Sequence, residues 1–346
     1  MIRLRSLAQA ASVLTHPLTA EDVLSLFDPV FSHRQLRGVV TLVVRETPNS
    51  STIYFRPGRG WKAHEAGQWA RIGVELDGVR HWRSYSLSAA AGQDPAITVT
   101  DAGSVSGTLV RETKPGDVLF LAPPQGDFTL PEHPRPLLML TAGSGITPVM
   151  AMLRTMNRRG QLPDVFHVHS APTDADVMFA DELTQLHEEH DDFRCKIQLT
   201  RSQGKFALSS LDEVCPDWRE RQTWACGPLP MLDEIETLWR DEGIENKLHL
   251  ERFAVSRADT SGEGGTVTFA KADKTVSIDG ATTLLEAGEQ VGALMPFGCR
   301  MGICQTCVVP ILAGHAIDLR SGKQHAEGDR VQTCISAAAG DCTLDA

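Results

Sequence analysis

The chain has 346 residues, of which 42% are hydrophobic and 22% are charged, a composition typical of a folded globular protein. This length exceeds what one ordinary hydrophobic core accommodates, so two or three domains are expected. The formal net charge is −11 and no polybasic run occurs, which argues against a nucleic acid as the partner.

Residues 1–36 predict a helical segment that precedes the first domain. Apolar residues recur at helical spacing between Leu4 and Leu14, and the stretch from Thr19 to Asp22 is typical of a helix start. One interpretation is a pair of short helices packed on the next domain. The alternative is a basic amphipathic helix that contacts a membrane surface or a membrane-bound partner. No apolar stretch approaches the ~18 residues that a transmembrane helix needs, and no signal peptide is identified.

Residues 37–132 have the pattern of an antiparallel β-barrel. Short β-rich runs, separated by turn residues, lie at residues 39–44, 52–55, 70–76 and 96–100. Within this region Arg83 could pair with a phosphate, Tyr85 could lie against a flat ring, and Ser86 could donate a hydrogen bond to a ring nitrogen. A tyrosine on a strand, taken alone, is usually an ordinary core residue.

A second candidate phosphate site follows in the same region. Gly103, Val105 and Ser106 precede a helix that is predicted over residues 107–112. Ser106 would cap this helix, which leaves free backbone N–H groups at the helix N-terminus for a pyrophosphate.

Residues 133–253 predict a parallel-sheet α/β domain. A continuous apolar run at residues 137–140 is typical of a buried parallel strand, and a helix is predicted over residues 149–158. The turn between them contains Thr141, Gly143, Gly145, Thr147 and Pro148. A strand, a glycine turn and a helix N-terminus form an anion site by their geometry. Further strands are predicted at residues 165–170 and 195–200, with a helix at residues 178–188 between them.

A cysteine stands at another predicted strand end in this domain. Cys226, Gly227 and Pro228 follow that strand and open a helix predicted over residues 231–242. Taken alone, a free cysteine at such a place is often a small buried hydrophobic residue.

A cationic segment follows the strand predicted at residues 195–200. Thr200 and Arg201, with Lys205 nearby, supply the hydroxyl and cationic groups that a ribose 2′-phosphate requires at a strand end. The alternative is a solvated loop that binds nothing.

Residues 254–265 are predicted to be a linker because glycine and polar residues dominate them, and a last domain is predicted at residues 266–346. In it, Cys299, Cys304 and Cys307 follow the spacing C-x₄-C-x₂-C and Cys334 lies farther on, the plant-type pattern that holds a [2Fe–2S] cluster. A structural zinc site or free core cysteines are the alternatives, but zinc usually shows two short cysteine pairs. The remaining cysteines are scattered, which fits a reducing cytoplasm.

These segments together resemble the ferredoxin–NADP reductase superfamily, and their order resembles that of phthalate dioxygenase reductase and its relatives. The last domain resembles a β-grasp ferredoxin, with a predicted hairpin at residues 267–278, a helix start at 283–287 and a strand at 308–312. The resemblance implies a multidomain α+β and α/β architecture. It would comprise an antiparallel β-barrel for the flavin, a parallel-sheet α/β domain for the nicotinamide nucleotide, and a β-grasp domain for the [2Fe–2S] cluster.

The resemblance also implies roles for the residues named above. Cys226 would lie beside the nicotinamide and position hydride transfer, so Cys226 and Ser86 are the expected catalytic residues. The flavin would be held by Arg83, Tyr85, Ser86, Gly103, Val105, Ser106 and a terminal segment with Phe253 or Glu251. The nicotinamide nucleotide would be held by Thr141, Gly143, Gly145, Thr147, Pro148, Thr200, Arg201, Cys226, Gly227 and Pro228.

The combination predicts a reductase that passes electrons from NADPH to FAD, then to the cluster and on to an acceptor protein. A nicotinamide donates two electrons at once whereas the cluster accepts one, so a flavin has to lie between them. FMN and NADH are the open alternatives for the two cofactors.

The acceptor and the location are also expectations of the resemblance. Residues 56–61 and 77–83 resemble bacterial reductases that serve membrane fatty-acid or acyl-CoA desaturases, so a desaturase is the expected acceptor. A Rieske-type oxygenase or a cytochrome P450 is the alternative, and an iron–sulfur redox sensor or a direct NAD(P)H oxidase are more distant ones. The expected location is the cytoplasm, with peripheral contact at the inner face of the membrane as an option.

Overall fold

The computed structural model describes residues 28–31, 35–76, 79–131, 135–253, 264–280, 282–297, 302, 305–319 and 321–346. The chain divides into two compact units, Met1–Glu251 and Arg252–Ala346. The helices predicted between residues 4 and 27 lie outside the described residues. In the part of the chain that is described, no helix is long and apolar enough to cross a membrane.

An antiparallel sheet begins the first unit. Its strands are β1 (Arg37–Thr47), β2 (Ser50–Pro57), β3 (Trp69–Leu76), β4 (Val79–Ser86), β5 (Ala96–Thr100) and β6 (Val118–Leu121), and helix α1 (Ser104–Arg111) follows β5. The strand order is β4-β3-β6-β1-β2-β5. A bridge between Leu87 and Ile97 joins the ends of this order, which closes the sheet into the predicted barrel. Alternate side chains point inward along each strand, and residues such as Val40, Ile53 and Ile72 form the core.

A parallel sheet forms the rest of the first unit. Its strands are β7 (Leu137–Ala142), β8 (Val165–Ala171), β9 (Phe193–Leu199), β10 (Gln222–Cys226) and β11 (Leu248–Glu251). Its helices are α2 (Ile146–Arg158), α3 (Ala180–Glu189), α4 (Thr200–Gln203), α5 (Leu211–Val214) and α6 (Leu229–Asp241). The strand order is β11-β10-β7-β8-β9. The central strand β7 is an apolar run because both of its faces are covered, with Met139 packed in one buried cluster and Leu138 in another.

Helix α2 connects the barrel to the parallel sheet. Arg154 donates a hydrogen bond from Nη1 to the Ser88 carbonyl oxygen of the barrel over 2.7 Å and pairs with Glu182 of α3. Thr155 Oγ1 accepts a hydrogen bond from the Ala91 N–H over 2.9 Å. These contacts hold the carboxyl ends of the parallel strands, where α/β sheets bind ligands, at a fixed place relative to the barrel.

The second unit contains a mixed sheet and one described α-helix. Its elements are β12 (Gly265–Phe269), β13 (Lys274–Ile278), α7 (Leu284–Gln290), β14 (Val308–Asp318), β15 (Gln324–Ala326), β16 (Arg330–Gln332) and β17 (Ser336–Leu344). The strand order is β13-β12-β17-β14-β15, and β16 pairs with β14. Helix α7 starts where predicted, because Thr283 Oγ1 accepts the Glu286 N–H and the Glu286 carboxylate accepts the Thr283 N–H. Three sheets of this kind confirm the expected fold class.

Three local expectations differ from the structure. The helix predicted over residues 107–112 begins at Ser104, because Val105 and Leu109, four residues apart, both pack into the barrel core. Ser106 therefore does not cap the helix. Strand β9 ends at Leu199, and Thr200 begins the short helix α4. Of the predicted linker, residues 254–263 lie outside the described residues, and Gly265 is already part of β12.

Candidate functional site

The site lies where the barrel meets the carboxyl ends of β10 and β11. Cys226 ends β10 and is aligned with Glu251 on β11 and with Thr141 on β7. Ser86, the last residue of β4, donates a hydrogen bond from Oγ to Glu251 Oε2 over 3.4 Å. The two expected catalytic residues, Ser86 and Cys226, thus lie near each other. Glu251 connects them, because it accepts the hydrogen bond from Ser86 and is aligned with Cys226 on the neighbouring strand.

Burial keeps the acidic groups at this place uncharged. Burial raises the pKa of Glu251 to about 8, while the hydrogen bond from Ser86 opposes the rise. Cys226 is fully buried, and burial raises the pKa of its thiol well above the usual value; Glu251 raises it further where that carboxyl group is ionised. A thiol with such a pKa is a poor nucleophile. Cys226 is therefore suited to shape the site and not to attack a substrate.

A glycine turn packs directly on Cys226. Gly143 has φ +52 and Gly145 lies so close to β10 that a Cβ would be 2.1 Å from the Cys226 carbonyl oxygen. Thr147 and Pro148 are buried in the first turn of α2, and Thr147 Oγ1 donates to the Ser144 carbonyl oxygen over 2.9 Å. This cradle places the N-terminus of α2, the positive end of the helix dipole, beside Cys226, which fits the phosphates of a nucleotide.

The barrel side of the site combines a tyrosine and a cation. Tyr85 is partly buried, and burial raises its pKa to about 12, with the charge of Arg83 opposing this. Arg83 Nη1 donates to the Trp82 carbonyl oxygen over 2.9 Å. Ser84 Oγ is buried and finds no hydrogen-bond partner among the described residues. The neutral tyrosine and the guanidinium, which share one face of β4, fit a bound group that has both an aromatic ring and phosphates.

In the predicted phosphate turn before α1, the backbone and not the side chains is available to bind a ligand. Val105 is buried in the barrel core, so only its main chain can face a ligand. Ser106 Oγ accepts the Ala102 N–H over 3.0 Å and donates to the Gly103 carbonyl oxygen over 3.2 Å. Phe253, expected to cover the flavin, follows β11 and is 40% exposed.

The candidate 2′-phosphate segment comprises the short helix α4 and the loop after it, and it carries exposed basic side chains. Gln203 Oε1 accepts the Leu199 N–H over 3.0 Å, and Gln198 Nε2 donates to the Gly204 carbonyl oxygen over 3.0 Å. Arg201 and Lys205 are exposed, and the Arg201 side chain has no hydrogen bond or ion pair with any described residue. The loop therefore presents a positive charge at the carboxyl edge of the sheet.

Two of the predicted cluster ligands converge in the second unit. Cys307 Sγ and Cys334 Sγ are 3.2 Å apart, and both residues are buried. Hydrogen bonding to Cys334 lowers the pKa of the Cys307 thiol below its ordinary value, against the effect of burial. Thr333 Oγ1 donates to the Cys307 carbonyl oxygen over 3.0 Å and ties the two segments together. The separation and the easily formed thiolate fit shared ligation of iron. Cys299 and Cys304 lie outside the described residues.

Comparison with known proteins agrees with this geometry. The description "2Fe-2S iron-sulfur cluster binding domain" matches residues 267–339, and "Oxidoreductase NAD-binding domain" matches residues 139–237. An NADPH oxidoreductase of Mycobacterium tuberculosis is 50% identical to this chain, over 98% of this chain and 92% of the relative. The chain belongs to the ferredoxin–NADP reductase superfamily. It is an NAD(P)H-dependent oxidoreductase whose cofactors are FAD, the nicotinamide nucleotide and a [2Fe–2S] cluster.

Two further members of the superfamily extend the comparison. The glycine betaine monooxygenase reductase subunit of Chromohalobacter salexigens is 28% identical, over 76% of this chain and 78% of the relative. The solved structure of phthalate dioxygenase reductase is 20% identical and superposes with a TM-score of 0.67, over 90% of this chain and 97% of that chain. At this identity the likeness to phthalate dioxygenase reductase concerns the fold.

Two features of the site are weakly or not at all predicted by the sequence. Glu251 is only a secondary candidate in the sequence, and its alignment with Cys226 follows from the sheet. His167 and His169 have no spacing that indicates a metal, yet both contact Thr141 over 2.8 Å. The available signal is their alternation on β8, which places both on the face that carries Thr141.

Proposed function

We propose that the protein transfers electrons from NADPH through FAD and its [2Fe–2S] cluster to an oxygenase-type acceptor protein. The observation that carries the proposal is the meeting of Ser86, Glu251 and Cys226 at the junction of barrel and parallel sheet. Bound FAD would supply the conversion of a two-electron hydride into single electrons. The chain's own part is to hold the nucleotide and the flavin in contact, and to exclude water from the uncharged site.

Residue roles follow from the contacts. Tyr85 would lie against the flavin ring while Arg83 holds a phosphate, and Ser86 would hydrogen-bond the ring edge near Glu251. The glycine turn with Gly145 would hold the pyrophosphate of the nucleotide, and Cys226 would form the wall behind the nicotinamide. The four cysteines 299, 304, 307 and 334 would ligate the cluster.

NADPH is proposed as the donor because the exposed Arg201 and Lys205 stand at the strand end where a 2′-phosphate would lie. The name of the 50% identical relative, an NADPH oxidoreductase, supports this choice. Steady-state kinetics with both nucleotides tests it. Arg201→Ala should lower kcat/KM for NADPH about tenfold to a hundredfold, since a charge-assisted bond contributes about 1.5–3 kcal/mol, and should leave NADH unchanged. The exposed Arg240 on α6 provides the control Arg240→Ala. An equal loss for both nucleotides would contradict the choice.

A membrane fatty-acid or acyl-CoA desaturase is proposed as the acceptor, on the resemblance of residues 56–61 and 77–83. Reductase subunits of monooxygenase systems among the relatives favour a Rieske-type oxygenase or a cytochrome P450 as the second candidate. Reconstitution separates the two. The purified protein with NADPH should support desaturation of stearoyl-CoA by desaturase-containing membranes. Turnover with a Rieske-type oxygenase and none with the membranes would establish the second candidate instead.

A further inference from the structure

A buried polar cluster in the parallel sheet joins Thr141 to two histidines that have no part in the roles assigned above. Thr141 Oγ1 lies 2.8 Å from His167 Nε2 and 2.8 Å from His169 Nδ1. Both imidazoles are fully buried, and burial lowers the pKa of His167 to about 3 and that of His169 to about 4. Both rings are therefore neutral at pH 7 and act through hydrogen bonds.

One hydroxyl between two neutral rings makes the cluster cooperative. Thr141 has a single O–H donor, so it donates to one ring and accepts the N–H of the other. His167 Nδ1 lies 4.0 Å from Cys195 Sγ, which extends the chain of contacts to β9. Reversal of one hydrogen bond requires reversal of the others. His169 Nε2 has no hydrogen-bond partner among the described residues, so the contact with Thr141 orients this ring, and its loss would leave further buried polar atoms unpaired.

The cluster shares a row of the sheet with the proposed hydride-transfer site. Strand pairing aligns Glu251 with Cys226, Cys226 with Thr141, and Thr141 with His169. Aligned residues of neighbouring strands point to the same face and lie about 4.8 Å apart. Thr141 is therefore the direct neighbour of Cys226 on the side away from Glu251.

Thr141 also leads into the turn that touches the Cys226 backbone. The turn contains Gly145, where a Cβ would be 2.1 Å from the Cys226 carbonyl oxygen. A change in the orientation of Thr141 thus reaches Cys226 through the neighbouring strand and through the turn. We infer that His167 and His169 are positioning residues for hydride transfer, which hold the Thr141 hydroxyl and thereby fix the wall of the site at Cys226. The inference rests on the proposed place of Cys226 beside the nicotinamide.

The two rings contact Thr141 through different nitrogens, which permits a crossed test. An asparagine amide lies near the position of Nδ1, and a glutamine amide reaches that of Nε2. His169→Asn and His167→Gln therefore retain the hydrogen bond to Thr141. His169→Gln and His167→Asn also introduce an amide, but they place it away from Thr141, so that the hydrogen bond is lost. Because each pair differs by one methylene, general effects of losing an imidazole are matched.

Three measurements on the holoenzyme compare these variants with the wild type. They are anaerobic stopped-flow reduction of the flavin by NADPH, the Kd of NADP⁺ from calorimetry, and the rate of maleimide labelling at Cys226 mapped by mass spectrometry. The displaced variants should reduce the flavin about tenfold or more slowly, since small misplacements at a reacting centre cost up to about a hundredfold. They should label Cys226 faster while the Kd changes less than about threefold, because the adenosine end of the nucleotide is untouched. The retaining variants should behave like the wild type in all three measurements.

Thr223→Val is the matched control in the same sheet. Thr223 is buried on the opposite face, in line with Leu138, and its hydroxyl has no partner among the described residues. Its removal should leave rate and labelling unchanged.

Equal behaviour of Asn and Gln at each position, or variants with lower thermal stability but wild-type rate and labelling, would overturn the inference. Where a displaced variant fails to fold, its retaining isomer decides: a wild-type rate supports the inference and a slow rate overturns it. An undiminished hydride-transfer rate in Cys226→Ser would count against the proposed place of Cys226 beside the nicotinamide. The labelling rates of the histidine variants would still show whether the histidines position Cys226, so the two failures can be told apart.

Discussion

Glu251 is the titratable residue whose protonation bears most directly on the site, because its carboxyl group contacts Ser86 and is aligned with Cys226. Burial raises its pKa to about 8, so the side chain is mainly protonated at neutral pH. Hydride delivery brings negative charge into the same space. A carboxylate at this place would oppose that charge, whereas the protonated form does not.

The rate of flavin reduction by NADPH is therefore expected to fall as pH rises through about 8. Glu251→Gln cannot ionise, so its rate should stay flat between about pH 6.5 and 9.5. Stopped-flow measurements across this range test the expectation, with the exposed Glu245→Gln as a control that keeps the wild-type profile. A decline in Glu251→Gln that matches the wild type would assign the titration to another group.

His167 and His169 predict an acid-sensitive fold. Their folded pKa values of about 3 and about 4 lie below the unfolded value of 6.5, so their contribution to stability is present above pH 6.5 and is lost as pH falls toward 4. At pH 5.5 the loss is about 1.4 kcal/mol for each histidine. Glu251 acts in the opposite direction, because its folded pKa lies above the unfolded value of 4.5 and its stabilising contribution is lost as pH rises toward 8.

A comparison of variants separates the pH dependence caused by the two histidines from that caused by Glu251. The double variant His167→Gln/His169→Asn should lose about 2–3 kcal/mol less than the wild type between pH 7.5 and pH 5.5. Urea unfolding followed by tryptophan fluorescence measures this in the first unit alone, because all six tryptophans lie before residue 251. Identical pH dependence in the two proteins would mean that the rings are protonated in the folded state.

Among the secondary-structure elements, the glycine turn before α2 has no room for a side chain at Gly145. Gly145→Ala would place a Cβ 2.1 Å from the Cys226 carbonyl oxygen, and a backbone atom cannot be moved aside cheaply. The variant should retain its flavin absorbance and reduce the flavin at least about a hundredfold more slowly, because the nucleotide cradle is displaced.

Gly160→Ala provides the matched control for that prediction. Gly160 has φ +61 and nothing lies within 4 Å of its added Cβ, so alanine there introduces backbone strain without a collision. It should be less stable by about 1 kcal/mol and otherwise active. If both variants lose activity equally, a general loss of stability and not the contact with Cys226 would be responsible.

At the same scale, the sequence predicts elements better than contacts. The apolar run of β7 is found because both faces of a buried parallel strand are covered. The start of α1 is missed because packing of Val105 into the barrel decides it. The Thr141 contact with His169 depends on strand register, which spacing along one strand does not reveal.

For the whole molecule, the sequence motifs predict the cofactors more directly than the contacts between residues do. The cysteine spacing indicates the cluster without any structure, because four thiolates at set intervals are a chemical requirement. The structure adds that Cys307 and Cys334, 27 residues apart, meet with their sulfur atoms at 3.2 Å. The proposed nucleotide residues and, apart from Phe253, the proposed flavin residues lie in the unit Met1–Glu251, whereas the cysteines of the predicted cluster lie in the unit Arg252–Ala346.

This division predicts that loss of the cluster spares hydride transfer. Cys334→Ser removes one of four thiolates, so bound iron should be lost and cytochrome c reduction should fall at least about a hundredfold. Flavin reduction by NADPH and reduction of ferricyanide should stay near wild-type values, because Ser86, Glu251 and Cys226 are in the other unit. Cys342→Ser is the control, since Cys342 is buried in the same unit outside the ligand spacing and should keep its iron. Rapid cytochrome c reduction by iron-free Cys334→Ser would show that electrons leave the protein directly from the flavin, and the cluster would then have another role.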